Sequence, residues 1–487
     1  MPKSIKLLLC LVLVTSAFFR LYRINDYAEF LGDQGRDVVI VRNFLKNGDP
    51  FFIGPQTSIG NMYLGPYYYY FFVAPGLFFT NFNPVGPAVI IALIGVLTTY
   101  LIFRFSALWF SSKVAVVSAF LYAISPVVIK YNSFSWNPNI MPLFSLLYFY
   151  FLTRSRLILA TLAFIMALNS HYLALALLPL GFIILFFNRQ KSKISLKSFI
   201  IPFLIFLISL IPQILFDIKH HGQNVNALIT FFSQRETTVN LKIYKALPQI
   251  FPLFSQINTR LLAGKNETFG LIVSLLFAFL IIYRIFQEKR KLNRYFVFLL
   301  FWYLTGLIAL ALYKQHIYDH YFGFLFPVVF ILFGYLISFL PRLLFIPIIL
   351  AIAIFSFLEN PLRWSAPRQL ATTEQIIDSI IANSENKSFN FALLAKMNYD
   401  PGYRYFLSEK KAPVELLQNK VTDQLFVVCE PFQIDCNPIN NPEWAVAAFG
   451  WAKIDSQWEI NGIKIFRLTK NPSGLPPYST YPNNGSN

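Results

Sequence analysis

Apolar runs long enough to cross a bilayer recur along this chain of 487 residues, and no other feature limits its fold as strongly. About 20 apolar residues traverse the hydrocarbon core as a helix. Such runs fall near 5–19, 86–103, 113–130, 140–153, 157–169, 171–187, 198–216, 268–286, 295–313, 321–340 and 343–358. Only 13% of the residues are charged, whereas a soluble domain carries roughly 25%. The pattern predicts a polytopic α-helical membrane protein with about eleven transmembrane helices. The break at Asn169-Ser170-His171 decides whether two short spans or one bent helix stand there.

Charge placement tests this layout independently. The links predicted to be cytoplasmic, among them Thr153–Arg156, Asn188–Lys197 and Gln287–Arg294, hold 16 Lys/Arg and a single acid, Glu288. The opposite links through Lys314 hold 13 Lys/Arg against nine acids. Basic residues concentrate on the cytoplasmic side of membrane proteins, so the N-terminus is expected inside and everything after Leu358 outside. The expected location is the plasma (inner) membrane, multi-pass. The net charge of +18 belongs to the membrane half, because residues 359–487 carry 12 basic and 13 acidic groups. Basic residues that flank spans argue against a nucleic-acid partner, which needs a contiguous patch.

Three regions follow from this reading: a transmembrane part over 1–358 with outer loops at 20–85 and 217–267, an extracytoplasmic α/β domain over 359–470, and a flexible tail over 471–487. In the first loop, Val38, Ile40, Val41, Phe44 and Leu45 share one helical face and Asn47-Gly48 is a stop signal, which predicts a surface helix. In the C-terminal domain Thr373–Ile381 reads as helix, and Phe389–Leu394, Gln424–Cys429 and Gly462–Leu468 as strands. Cys429 and Cys436 fall in that domain, where a disulfide is chemically allowed.

Carboxylates are scarce in the membrane half. Residues 1–358 contain ten, and five of these are Asp26, Glu29, Asp33, Asp37 and Asp49. The residues around them resemble a known family. Phe30-Leu31-Gly32-Asp33-Gln34-Gly35-Arg36-Asp37 follows the first span, and Gly54-Pro55-Gln56-Thr57-Ser58 and Leu64-Gly65-Pro66 followed by Tyr67–Tyr70 lead into an apolar stretch. Ser125-Pro126 with Tyr131–Asn139, and His320-Tyr321 with Phe326-Pro327, complete the order. This resembles the membrane glycosyltransferases of the protein O-mannosyltransferase and aminoarabinose transferase kind, family 39 and its relatives, with the GT-C fold. The resemblance implies a sugar transferase that uses a polyprenyl-phosphate-linked donor, with Asp33 at the position of the general base. Two positions depart from the family's pattern. Gln34 stands where a second acid often follows, and Asn137 and Asn139 stand where an Asp is usual before the fourth span.

Chemistry supports a similar site without the family. Polyprenyl phosphate is a good leaving group that gains from positive charge on its phosphate. An acceptor hydroxyl gains from a positioned carboxylate. Asp33 and Asp37 are therefore the candidate catalytic acids, and Arg36, Lys314, His316, His320 and Tyr321 the candidate phosphate ligands. Asn137, Asn139, His171, Asp217 and His220 are candidates for lining the substrate cavity. The expected partners are the polyprenyl-phosphate sugar donor, a protein, lipid or polysaccharide acceptor, and membrane lipids. There is no zinc spacing, P-loop or nucleophile elbow; no cofactor is expected, and a divalent metal is left open. The rival reading is a transporter or flippase of a lipid-linked sugar, which would want ionisable groups near mid-membrane.

Overall fold

The structure is a computed structural model and describes residues 2–192, 195–234, 237–240, 242–288, 291–430, 436–439 and 441–471. The expected tail beyond Asn471 lies outside these residues. The chain divides into two compact units, one of residues 1–27 and 41–366, the other of residues 28–40 and 367–487. This differs from a boundary at 358/359, because the acidic segment after the first span clusters with C-terminal residues. The helix Gly32–Asn47 passes from one unit into the other.

Among the described residues, six helices of the first unit are long and apolar enough to cross a membrane: Lys3–Leu21, Gly86–Trp109, Lys197–Lys219, Glu267–Glu288, Arg294–Ala311 and Asp319–Ile337. Shorter apolar helices run over Ser112–Ile124, Leu157–Ser170, Tyr172–Asn188 and Arg342–Leu358, and another over Met141–Thr153. Each predicted span thus has its helix. Asn169–His171 is a true break, since His171 is extended between two helices. The eleven-residue helix Tyr69–Phe79 was not among the predicted spans. It opens on a π-helical stretch, Tyr69–Val73, and covers part of the apolar stretch that follows Tyr67–Tyr70.

Helix Phe326–Ile337 is buried along its whole length, as expected for a helix that is apolar all round. By contrast, the helix Ile200–Ser209 leaves Ile200, Phe203, Leu204 and Ile208 exposed, the face a lipid would cover.

Ser125-Pro126 splits one predicted span into Ser112–Ile124 and Pro126–Tyr131. Pro126 has no N–H to offer the Tyr122 carbonyl one turn before it. Arg20, buried at the end of the first helix, fills that gap. Its Nη2 donates to the Tyr122 carbonyl at 3.3 Å, and its Nη1 to those of Ala123 at 3.0 Å and Ser16 at 3.1 Å. Its Nε donates to Asn132 Oδ1 at 3.0 Å. Gly95 makes room for the pair, since a Cβ there would lie 2.4 Å from Asn132 Oδ1 and 2.8 Å from Arg20 Nε.

The second unit contains a four-stranded sheet in the order β1-β2-β4-β3, with β1 Asn390–Leu394, β2 Gln424–Cys429, β3 Ala452–Ile460 and β4 Ile463–Lys470. β1 and β2 are parallel, and the other pairs antiparallel. All six residues of β2 are buried, as befits a central strand covered on both faces. β3 was missed in the sequence because Lys453 to Gln457 are exposed and carry no apolar alternation. Its turn, Asn461-Gly462, has positive φ at both residues and is the two-residue hairpin those residue types favour. Helices Gln369–Asn383 and Pro401–Glu409 complete the unit, and Cys429 and Cys436 are disulfide-bonded.

Candidate functional site

The Asp33 segment is built by close backbone approach within the second unit. A Cβ on Gly35 would lie 2.2 Å from the backbone N of Gly402, and one on Gly32 would strike the Tyr399 ring. The two glycines that bracket Asp33 are therefore there to let the 398–402 segment come near. The Gly32 N–H donates to Asn398 Oδ1 at 2.7 Å, and Gln34 Oε1 turns back to accept the Leu31 N–H at 2.9 Å. These bonds satisfy N–H groups that a helix start leaves unpaired. Gln34 is thus a helix cap at the position where a second acid was expected.

Two side chains then converge on one oxygen of Asp33. Asp33 Oδ1 accepts from Arg36 Nη1 at 2.9 Å and from the Tyr399 hydroxyl, which also accepts from Arg36 Nη1 at 3.2 Å. Burial, and then the hydrogen bond to Asp33, push the Tyr399 phenol above its ordinary pKa, so it stays a donor. Asp33 keeps 37% of its side chain exposed, and among the described residues Oδ2 accepts no hydrogen bond. Tyr399 also forms part of the wall of a cavity of about 460 Å³, together with Asn398, Arg404, Glu415 and Trp444.

Arg36 and Asp37 depart from expectation. Arg36 Nε and Nη2 both donate to Asp37 Oδ1, at 3.0 and 2.8 Å. The guanidinium is therefore committed to two carboxylates and is poorly placed to hold a phosphate as well. Asp37 is 1% exposed, so it orients Arg36 and cannot meet a substrate hydroxyl; it is a positioning residue. Gly35→Ala should force the helix away from Gly402 and cost roughly 1–3 kcal/mol. A thermal unfolding scan of the full chain checks this, and an unchanged midpoint would contradict the close-packing account.

In the first unit the two loop motifs pair with each other. The Gly54 N–H donates to the Leu64 carbonyl at 2.8 Å and the Leu64 N–H to that of Pro55 at 3.0 Å. At the tip of this loop Ser58 Oγ lies 3.3 Å from the hydroxyls of both Tyr172 and Tyr321. His171 packs on Tyr321 with ring centres 5.1 Å apart, and His320 on Trp136 at 4.5 Å. His171 Nδ1 accepts the Leu173 N–H at 3.2 Å. His171, His320 and Tyr321 thus form a packed aromatic cluster whose open edge is at Ser58.

Lys314 and His316 go elsewhere. They line a cavity of about 460 Å³ together with Lys245, Asn240, Gln249 and Gln256. Lys245, Lys314 and His316 are all exposed, and no carboxylate lines this cavity among the described residues. The phosphate ligands expected in one row are therefore divided between two places. Lys245 was not among the residues singled out in the sequence, which marked 217–267 only as an outer loop. A larger cavity of about 640 Å³ adjoins this one through the shared Gln315 and includes Ser58, His220 and His221.

Three candidates for the substrate lining have structural duties instead. Both oxygens of Asp217 accept backbone N–H groups, from Asn224 at 2.8 Å and Val225 at 3.1 Å, and so cap the helix Gln223–Ser233. Asn137 is buried and donates to the Ser170 carbonyl at 2.7 Å, and Asn139 to that of Phe134 at 2.9 Å. They fix the turn before Met141–Thr153. Arg260, a further cation, makes a two-point ion pair with Asp319, whose hydrogen bonds raise its pKa. Lys265 is lowered by burial and then by the neighbouring Arg260.

No family model matches the chain, and a search of curated proteins finds none similar to it. Solved structures do match it. The crystal structure of ArnT from Cupriavidus metallidurans bound to undecaprenyl phosphate superposes with a TM-score of 0.61 at 10% identity, covering 95% of this chain and 98% of that one. Its apo state gives 0.59 at 12% identity over 95% and 97% of the two chains. The archaeal oligosaccharyltransferase AglB from Archaeoglobus fulgidus, in complex with an inhibitory peptide and a dolichol-phosphate, gives 0.53 at 12% identity over 97% of this chain and 75% of that one. The chain is a multi-pass membrane protein with the GT-C fold that ArnT and AglB share.

Proposed function

We propose that the chain is a glycosyltransferase that moves a sugar from a polyprenyl-phosphate-linked donor to an acceptor hydroxyl outside the cytoplasm. The observation that carries this reading is the fold match over 95% of the chain to a protein solved with undecaprenyl phosphate bound. The cavity lined by Lys245, Lys314 and His316 supports this reading, since it brings basic side chains together with the carboxamides of Asn240, Gln249 and Gln256.

Asp33 serves as general base through Oδ2, while Arg36 and Tyr399 hold Oδ1. In one displacement the acceptor oxygen bonds to the anomeric carbon. The bond from that carbon to the phosphate oxygen breaks, and its electron pair leaves with polyprenyl phosphate. The acceptor proton passes to Asp33, and the anomeric centre inverts. Positive charge around the phosphate stabilises the charge that develops there. The transporter reading lacks a comparable feature. Arg20, the buried ion within the first span, is bound to backbone carbonyls and to Asn132 and acts as a structural tie.

Replacing Lys245 and Lys314 by Ala should weaken undecaprenyl phosphate binding by roughly tenfold or more per lysine, as for loss of a charge-assisted hydrogen bond. Added salt should weaken the wild type more than the double variant. Titration in nanodiscs checks both, and equal affinity in wild type and double variant would remove this cavity from the donor site.

A further inference from the structure

We infer that the sugar carried by the donor is a neutral saccharide, held in the 640 Å³ cavity beside Ser58; this rests on the transferase reading above. Five carboxamides line that cavity: Asn61, Gln223, Asn226, Gln234 and Gln315. A carboxamide both donates and accepts, and so does a sugar hydroxyl, so the lining complements a ring with several hydroxyls. Among the described residues, the Gln234 carboxamide and Asn226 Oδ1 accept or donate no hydrogen bond within the protein. Both residues are exposed and face the cavity ready for a ligand.

The same lining opposes a cationic amino sugar. No carboxylate contributes to it among the described residues, and two imidazoles, His220 and His221, do. Asp217, the acid that opens this loop, has both oxygens engaged by backbone N–H groups. An ammonium placed here would lose hydration and find no counter-charge among the described lining residues, which is costly.

Placement ties the cavity to the donor. Gln315 belongs both to this wall and to that of the cavity with Lys245, Lys314 and His316. A sugar bonded to a phosphate in the second therefore enters the first. Ser58, which lines this cavity, is also within hydrogen-bonding reach of the Tyr172 and Tyr321 hydroxyls.

The test compares undecaprenyl phosphate alone with undecaprenyl-phosphate glucose, mannose and aminoarabinose, bound to the full chain in nanodiscs. A neutral-sugar donor should bind at least about tenfold more tightly than undecaprenyl phosphate, the effect of one or two added hydrogen bonds. The aminoarabinose donor should gain nothing. In an Asn226→Leu/Gln234→Leu variant the gain should vanish while undecaprenyl phosphate affinity holds, and Gln234→Glu should shift preference towards the aminoarabinose donor. Equal or tighter binding of the aminoarabinose donor by the wild type, or a gain that survives the double variant, overturns the inference. Failure of undecaprenyl phosphate itself to bind overturns the transferase reading, and the inference with it.

Discussion

Replacing Asp33 by Asn is expected to lower turnover by about 10²–10⁴-fold, the range that general base catalysis supplies, with donor affinity unchanged. The substitution is well suited to the question. An Asn side chain can keep an oxygen at Oδ1, where it still accepts from Arg36 and the Tyr399 hydroxyl, so the local structure survives. What disappears is the basic oxygen at Oδ2. Single-turnover kinetics on a saturating donor separates this from a binding defect, because a lost base lowers the chemical step alone. Near-normal turnover in the variant would remove Asp33 from the mechanism and leave its cluster with a structural role.

Arg20→Met is expected to cost about 3–5 kcal/mol of stability, as when one partner of a buried ionic network is removed. The substitution fills much of the same volume but leaves the Tyr122 and Ala123 carbonyls and Asn132 Oδ1 without their donor. The Tyr122 carbonyl has no second choice, because Pro126 brings no N–H. Arg20→Lys should rescue little, since one ammonium cannot reproduce donors spread across a planar fork. Unfolding of the variants in detergent measures this, and a loss below about 1 kcal/mol would show that water or a backbone shift satisfies the break.

Much of the membrane architecture was legible because bilayer thickness acts on local sequence. Each predicted span has a helix, and the His171 break is real. The C-terminal strands β1 and β2 were readable because their apolar residues run continuously, whereas β3, exposed on most of its residues, was not. What stayed hidden was long-range. Nothing near Asp33 announces that its hydrogen-bond donor is Tyr399, 366 residues away, or that Gly32 and Gly35 exist to admit that segment. Charge alone made Arg36 look like a phosphate ligand, and only its two carboxylate partners show otherwise. Likewise Asp217 read as a candidate for the substrate lining, yet its carboxylate accepts the Asn224 and Val225 N–H groups at the start of the helix Gln223–Ser233. Lys245 gave no signal because a lysine among Ile243, Tyr244, Ala246 and Leu247 has no pattern that marks it; it and Lys314 line one cavity across a long span of sequence.

The most direct test uses proteoliposomes and a polyprenyl-phosphate sugar labelled separately in the sugar and in the phosphate, supplied with a mixed set of glycan, lipid and peptide acceptors. The account predicts that wild type separates the two labels, with the sugar moving covalently to an acceptor and inverting at its own anomeric carbon, and that Asp33→Asn binds the donor without separating them. Movement of the intact, doubly labelled lipid across the membrane with no transfer would contradict the account and support a transporter.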